Sequence, residues 1–426
     1  MVTATATVAS YEHLLADYRR ARTEFFDHYG ARWPATLADG FDLLEPCVLS
    51  EGEVQAIRDA AQAVATIYLR ACDLLCRLSD DALLNLALPA SLIPVVRALP
   101  PTMKGSTIGR LDLVRTDSGY KLMEFNADES GLIVEAFSVN QVACGAAGLE
   151  DVNAGCEVLL CRTLEDAVRA GLQSLSVPPA LQPAVVVTAF GNCRRDVATA
   201  AYLCSCLQPY SARYLPIEQL QLAGDCLCDG AGRKVDVLIR LVPMRLIRDN
   251  IFLRLDTSGA KFLDLVRSRG VAVINSASSF LLTNKALQAI IWKLFETRQF
   301  FSADELSLIE RHMLPTYLEP PYKDGSYVQK PFYGAEGDTV SIVHGDGRIL
   351  HRSLDVTHSD APMVYQQYVP LPSPELMTEF GPRKLHIVTS CFLLAGGPSA
   401  ICVRAGEPIT DETAWVMPVA VESAPG

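Results

Sequence analysis

The segment from residue 108 to residue 126 constrains this chain more than any other. Ile108, Arg110, Asp112 and Val114 alternate with Gly109, Leu111 and Leu113, a period of two that suits a strand and not a helix. Asp117-Ser118-Gly119 then reads as a turn and Tyr120 to Phe125 as a second extended run, so the spacing predicts a hairpin. In that alternation Arg110 and Asp112 share one face, and so do Leu122, Glu124 and Asn126. Polar groups gathered on one face of a ribbon either meet solvent or line a ligand cleft. Asp112, Glu124 and Asn126 offer two carboxylates and an amide oxygen, hard ligands of the kind magnesium takes beside water and nucleotide phosphates.

A second segment lies about 200 residues further on. Tyr327 to Pro331 reads as a strand ending in Lys330, and Phe332 to Asp338 as a glycine-containing turn whose backbone N–H groups suit a phosphate. The pattern is not the Walker loop, which needs Gly-x-x-x-x-Gly-Lys and a hydroxyl residue. Lys285, in Leu282-Thr283-Asn284-Lys285-Ala286, stands at the start of a helix, where backbone N–H groups and an ammonium both favour anions. Tyr365-Gln366-Gln367-Tyr368-Val369-Pro370 reads as a strand entering a linker. Taken singly, each has a plainer reading as a surface lysine or an ordinary strand.

At 426 residues the chain exceeds one core, so two or three packed units around a cleft are expected. Half of the residues are hydrophobic and a fifth charged, which indicates a folded soluble protein. The net charge of -12 argues against general affinity for nucleic acid or anionic lipid. Residues 1–10 lack the features of a signal peptide, and the most apolar stretch, 83–99, holds Pro89 and Pro94 and is too short to span a bilayer, so a cytoplasmic location is expected. None of the thirteen cysteines shows Cys-x-x-Cys spacing, and they read as small buried hydrophobes. The seven histidines show no metal-ligand spacing.

Helical periodicity runs from Tyr11 to about Arg97, closed by Pro100-Pro101, and again from Asp151 to Leu175. Pro178-Pro179 precedes strands at 184–188, 235–241 and 271–274, with helices near 196–207 and 261–269 between them, the order of a small parallel sheet that binds ligands at its carboxyl edge. From Leu281 the pattern is α+β: a helix from Ala286 to Phe300, then strands at 326–331, 339–343, 364–368 and 384–394. The expected division is a helical region 1–180 with the hairpin at about 106–128, a small α/β unit 181–280 and a nucleotide unit 281–426.

In this order the segments resemble the ATP-grasp amide ligases of the glutathionylspermidine synthase family: Arg-x-Asp, a turn, Glu-x-Asn-Ala-Asp, Asn-Lys-Ala before a helix with Trp292, Val-x-Lys-Pro with a glycine loop, and Tyr-Gln-Gln before a proline step. The resemblance covers roughly residues 100 to 410. It implies a mixed α/β and α+β architecture, an ATP-grasp fold preceded by a small parallel-sheet (pre-ATP-grasp) domain and a helical N-terminal region. It implies Asp112, Glu124 and Asn126 as magnesium ligands, Lys285 and Lys330 on the ATP phosphates, Gly334 and Gly337 in the phosphate-covering loop, and Gln366, Gln367 and Tyr368 at adenine. Arg110 would steady the reacting carboxylate, faced by Arg404 in Ala400-Ile401-Cys402-Val403-Arg404. The implied reaction is ATP-dependent joining of a small-molecule carboxylate to an amine through an acyl phosphate, with loading of a carrier-protein thiol, a phosphotransferase and a non-catalytic nucleotide-binding module as rivals. A homodimer is compatible with all of these.

Two departures from the family pattern stand out. No N-terminal amidase region with Cys and His is found, so product hydrolysis is not expected. Where the family often carries Pro followed by Glu, this chain has Val242-Pro243-Met244-Arg245, and a cation there would repel a polyamine. The acceptor expected is an amino acid or small amine, not spermidine.

Overall fold

The computed structural model describes residues 2–29, 43–99, 105–175, 182–248, 258–320 and 325–422. Pro100-Pro101 and Pro178-Pro179, with the boundary expected near 180 and part of the helical pattern expected from Tyr11 to Arg97, lie outside them.

The hairpin forms as Ile108–Thr116 and Gly119–Asn126, closed at Gly119, whose φ of 109° is one that glycine adopts without strain. Its register sets Arg110 opposite Asn126 and Asp112 opposite Glu124, so these four side chains share one face. Beyond that point the register slips: Leu113 pairs with Leu122, and Met123 is left over as a β-bulge. Leu122 therefore does not share the face of Glu124 and Asn126, as strict alternation predicted; it is buried with Leu111 and Leu113.

That apolar face rests on the helix Glu51–Leu75, capped by Ser50 and Glu53 in a reciprocal box. The Tyr68 and Phe125 rings meet edge to face at 5.2 Å. Gly109 is needed beside this contact, because a Cβ there would stand 2.6 Å from the Phe125 ring.

The ribbon is not a unit by itself. Ile108–Thr116 pairs with His386–Leu394, which pairs with Gly397–Gly406 and then Trp415–Met417, giving a five-stranded sheet whose two parts come from opposite ends of the sequence. A second five-stranded sheet has the order Thr316–Tyr317, Met363–Gln367, Ser326–Pro331, Ser341–His344, Ile349–Arg352. The helix expected to reach Phe300 ends at Glu296, and Phe300 takes a positive φ of 68°.

The parallel sheet forms as expected with one strand more, in the order Ala272–Ile274, Val237–Arg240, Val185–Ala189, Arg213–Pro216. Its carboxyl edge grips the open end of the ribbon. Asn275 accepts from the Thr107 and Ile108 N–H groups at 2.8 and 3.1 Å and donates to the carbonyls of Ile108, Ala127 and Asp128. Buried Arg240 pairs with Asp128, which also accepts from Ser279 Oγ and the Met244 N–H.

Candidate active site

Residues from the two five-stranded sheets line one cleft of about 870 Å³, its open mouth included. Asp112, Glu124 and Arg404 come from one sheet, Lys330, Gln366 and Gln367 from the other, Gly334, Gly337 and Tyr368 from loops of that second sheet, and Lys285 from the start of the helix Ala286–Glu296. Arg110 and Asn126 do not line the cleft; they reach it through Asp112. Val114, Met123, Leu314, Val328, Ile342 and Val388 make part of the wall apolar, the surface a flat ring prefers.

Asp112 is the hub. Its Oδ1 accepts from Arg110 Nε and Ser390 Oγ, each at 2.8 Å, and its Oδ2 from Arg404 Nη2 at 2.8 Å, Arg110 Nη2 at 3.1 Å and Asn126 Nδ2 at 3.2 Å. Burial works against its charge, but the two guanidinium groups and these hydrogen bonds outweigh it and hold the carboxyl well below the usual range. Arg110 also donates to the Gly131 carbonyl.

Glu124 is shared between Asn126 Nδ2, 3.3 Å from Oε1, and Lys285 Nζ, 3.3 Å from Oε2. Burial and the charge of Asp112 raise its pKa, and Lys285, Lys330 and Arg110 together bring it below the ordinary value. Lys285 Nζ also donates to the Gly334 carbonyl at 2.8 Å, and its backbone N–H to Phe332.

Lys330 Nζ donates to the Met123 carbonyl and to Gln366 Oε1, both at 2.9 Å. Met123 lies in the strand at the edge of its sheet, where carbonyls can face away from the ladder. Burial, the largest influence, with Lys285 adding to it, outweighs Glu124 and Asp112 and brings the ammonium down to about 8.

The glycine loop lies against 408–410. A Cβ on Gly337, whose φ is 75°, would meet Ile409 and the Thr410 carbonyl at 3.0 Å, and one on Gly334 would meet Pro331 at 2.7 Å. The side chain of Gln366 is buried under Lys330, and the backbone N–H groups of Gln367 and Tyr368 already donate to the carbonyls of Pro315 and Ser326. Arg245 lines a different pocket, with Pro89, Phe280, Phe332, Tyr333 and His358.

Two ionised carboxylates and an amide are the donor types a hard cation takes, but here the Asn126 amide turns its Nδ2 to both carboxylates and Asp112 already accepts five hydrogen bonds, which leaves Glu124 the least engaged of the three. No cluster of three His, Cys, Asp or Glu exists among the described residues, so any metal would have to share its shell with the amide, water or ligand oxygens. Buried Arg404 Nε and Thr410 Oγ1, both on residues of the cleft wall, have no hydrogen-bond partner among the described residues, as polar atoms that serve a ligand do.

Sequence reasoning missed three groups here. Ser390 and Gln288 sit in unremarkable strand and helix patterns, and the Met123 carbonyl has no side-chain signature.

Mixed helices and sheets, with a deep cleft between two antiparallel sheets and a small parallel sheet beside them, define an ATP-grasp-type ligase fold. Residues 17–422 match the family described as glutathionylspermidine synthase pre-ATP-grasp, and the chain belongs to that family. Among solved structures it is similar to a glutathione synthetase-like effector of Globodera pallida in its apo form, with a TM-score of 0.57, 13% identity and coverage of 97% of this chain and 98% of that one. A candidate gamma-glutamylcysteine synthetase from Methylobacillus flagellatus KT matches at a TM-score of 0.33 and 9% identity, over 88% of this chain and 87% of that one. Among the described residues no helix is long and apolar enough to cross a membrane.

Proposed function

We propose that the protein is an ATP-dependent carboxylate–amine ligase that forms an amide through an acyl phosphate and releases ADP and phosphate. The observation that carries this reading is the meeting of Lys285 and Lys330, Glu124 and Asp112, and Arg404 in one cleft, with Arg110 behind Asp112. A carboxylate resists attack by an amine because it is charged and has a poor leaving group, so ATP must first activate it. Lys285 and Lys330 would hold the triphosphate under the glycine loop and oppose its charge through transfer. Arg110 and Arg404 would orient the acid and then oppose the charge that grows on the tetrahedral oxygen. Asp112 keeps both guanidinium groups aimed.

Magnesium would be held by Glu124, joined by Asp112 and Asn126 if they give up their present hydrogen bonds, and would neutralise phosphate oxygens. Because the N–H groups of Gln367 and Tyr368 are engaged, the amide that reads adenine is assigned to Val369, which also lines the cleft. The acceptor is a small amine or an amino acid, and Arg245, in its separate pocket, is not used to choose between them.

The test is ADP release with pooled acids, amines and amino acids, products being identified by mass spectrometry. Glu124→Ala is expected to lower the rate at least a hundredfold while the melting temperature holds. Full activity in that variant would remove the metal assignment, a stable phosphorylated product would make the protein a phosphotransferase, and nucleotide binding without turnover would make it a binding module.

A further inference from the structure

Gln288 plays no part in the chemistry above, yet it is 2% exposed at the heart of the molecule. It lies in the helix Ala286–Glu296 among buried Ala286, Leu287, Ala289, Ile291 and Trp292. A buried amide is costly unless its groups are bonded, and here they are. Gln288 Nε2 donates to the Met123 carbonyl at 3.2 Å, and its Oε1 accepts from Gln366 Nε2 at 2.6 Å.

The consequence falls on Gln366. Its Nε2 also donates to the Met123 carbonyl at 3.2 Å and to Thr316 Oγ1 at 3.4 Å, so the only atom it presents to Lys330 is its carbonyl oxygen. Were that amide reversed, N–H would face ammonium. Lys330 has three N–H groups and no acceptor, and two of them are committed, to Gln366 and Met123.

We propose that Gln288 is a positioning residue for nucleotide binding: it fixes the amide polarity of Gln366, which with the Met123 carbonyl holds Lys330 so that its remaining N–H serves the triphosphate. The same bonds tie the nucleotide lysine to the ribbon at the residue next to Glu124. The charged groups facing Lys330 are Glu124, Lys285 and Asp112. Gln288, being uncharged, orients the lysine without neutralising it. The identity of the ligand rests on the ligase reading, whereas the hydrogen-bond geometry does not.

The experiment compares Gln288→Leu and Gln288→Met with the unaltered full chain, measuring affinity for a non-hydrolysable ATP analogue with magnesium and, separately, for adenosine. Affinity for the analogue is expected to fall about tenfold, the worth of one buried hydrogen bond to a charged group, with adenosine affinity unchanged. Loss of both affinities together would mark Gln288 as merely structural and overturn the proposal, as would two unchanged affinities. If neither variant melts cooperatively, Gln366→Leu is read in the same way, and an unchanged preference for the analogue overturns the proposal. An unaltered protein that binds the analogue but makes no ADP with any acid and amine defeats the ligase reading and leaves the positioning role standing; one that binds no nucleotide defeats both.

Discussion

Lys330 is the residue whose surroundings have the clearest consequence for activity. Burial brings its ammonium down to about 8, so in the free protein it is cationic below that value and neutral above it. Only the cation attracts phosphate. The value of kcat/KM for ATP, which reports groups of the free enzyme, is therefore expected to fall about tenfold per unit as pH rises above about 8. Lys330→Arg should remove that limb, because a guanidinium stays charged through the range; a limb that persists in the variant would assign it to another group. Residues of this kind were legible because charged side chains in short motifs declare their chemistry. Met123 was not, because a main-chain carbonyl is the same in every residue. Gln366 was read as part of an adenine strap and lies instead with its side chain under the lysine.

Among elements, the parallel sheet does something its sequence pattern only hinted at. Strand, helix and strand in alternation pointed to a carboxyl edge that meets a ligand, and this edge meets the ribbon. Arg240, whose side chain is fully buried, depends on Asp128 for its counter-charge. Asp128→Ala would strand that guanidinium and is expected to cost about 3–5 kcal/mol of stability, read as a lower denaturant midpoint. A midpoint within experimental error of the unaltered protein would show that Arg240 finds another partner. The strands Arg213–Pro216 and Ile349–Arg352 escaped sequence reading because neither is a buried apolar run of the kind that marked the comparably short Val237–Arg240 and Ala272–Ile274. The bulge escaped because alternation says nothing of where a register slips.

For the whole molecule, the governing fact is that the ribbon lies in a sheet completed by the last part of the chain. Asp112 and Ser390, hydrogen-bonded to each other, stand 278 positions apart. Local patterns announced each strand, but not that strands so distant would be neighbours, since pairing across such separation leaves no periodic trace. A protein ended after residue 384 would lack the strand beside Ile108–Thr116 and expose Leu111 and Leu113, so it is expected to aggregate when expressed. A soluble fragment with a cooperative melt would contradict this.

The interleaving also bears on how the protein is made. Synthesis delivers the acidic hairpin early, but its neighbouring strand leaves the ribosome only after most of the message has been read, and until then one rim of the hairpin offers unpaired amides to any passing chain. A nascent polypeptide must be shielded through that interval. A prematurely released product cannot assemble the cleft, because the wall that carries Arg404 arrives only with the final strands.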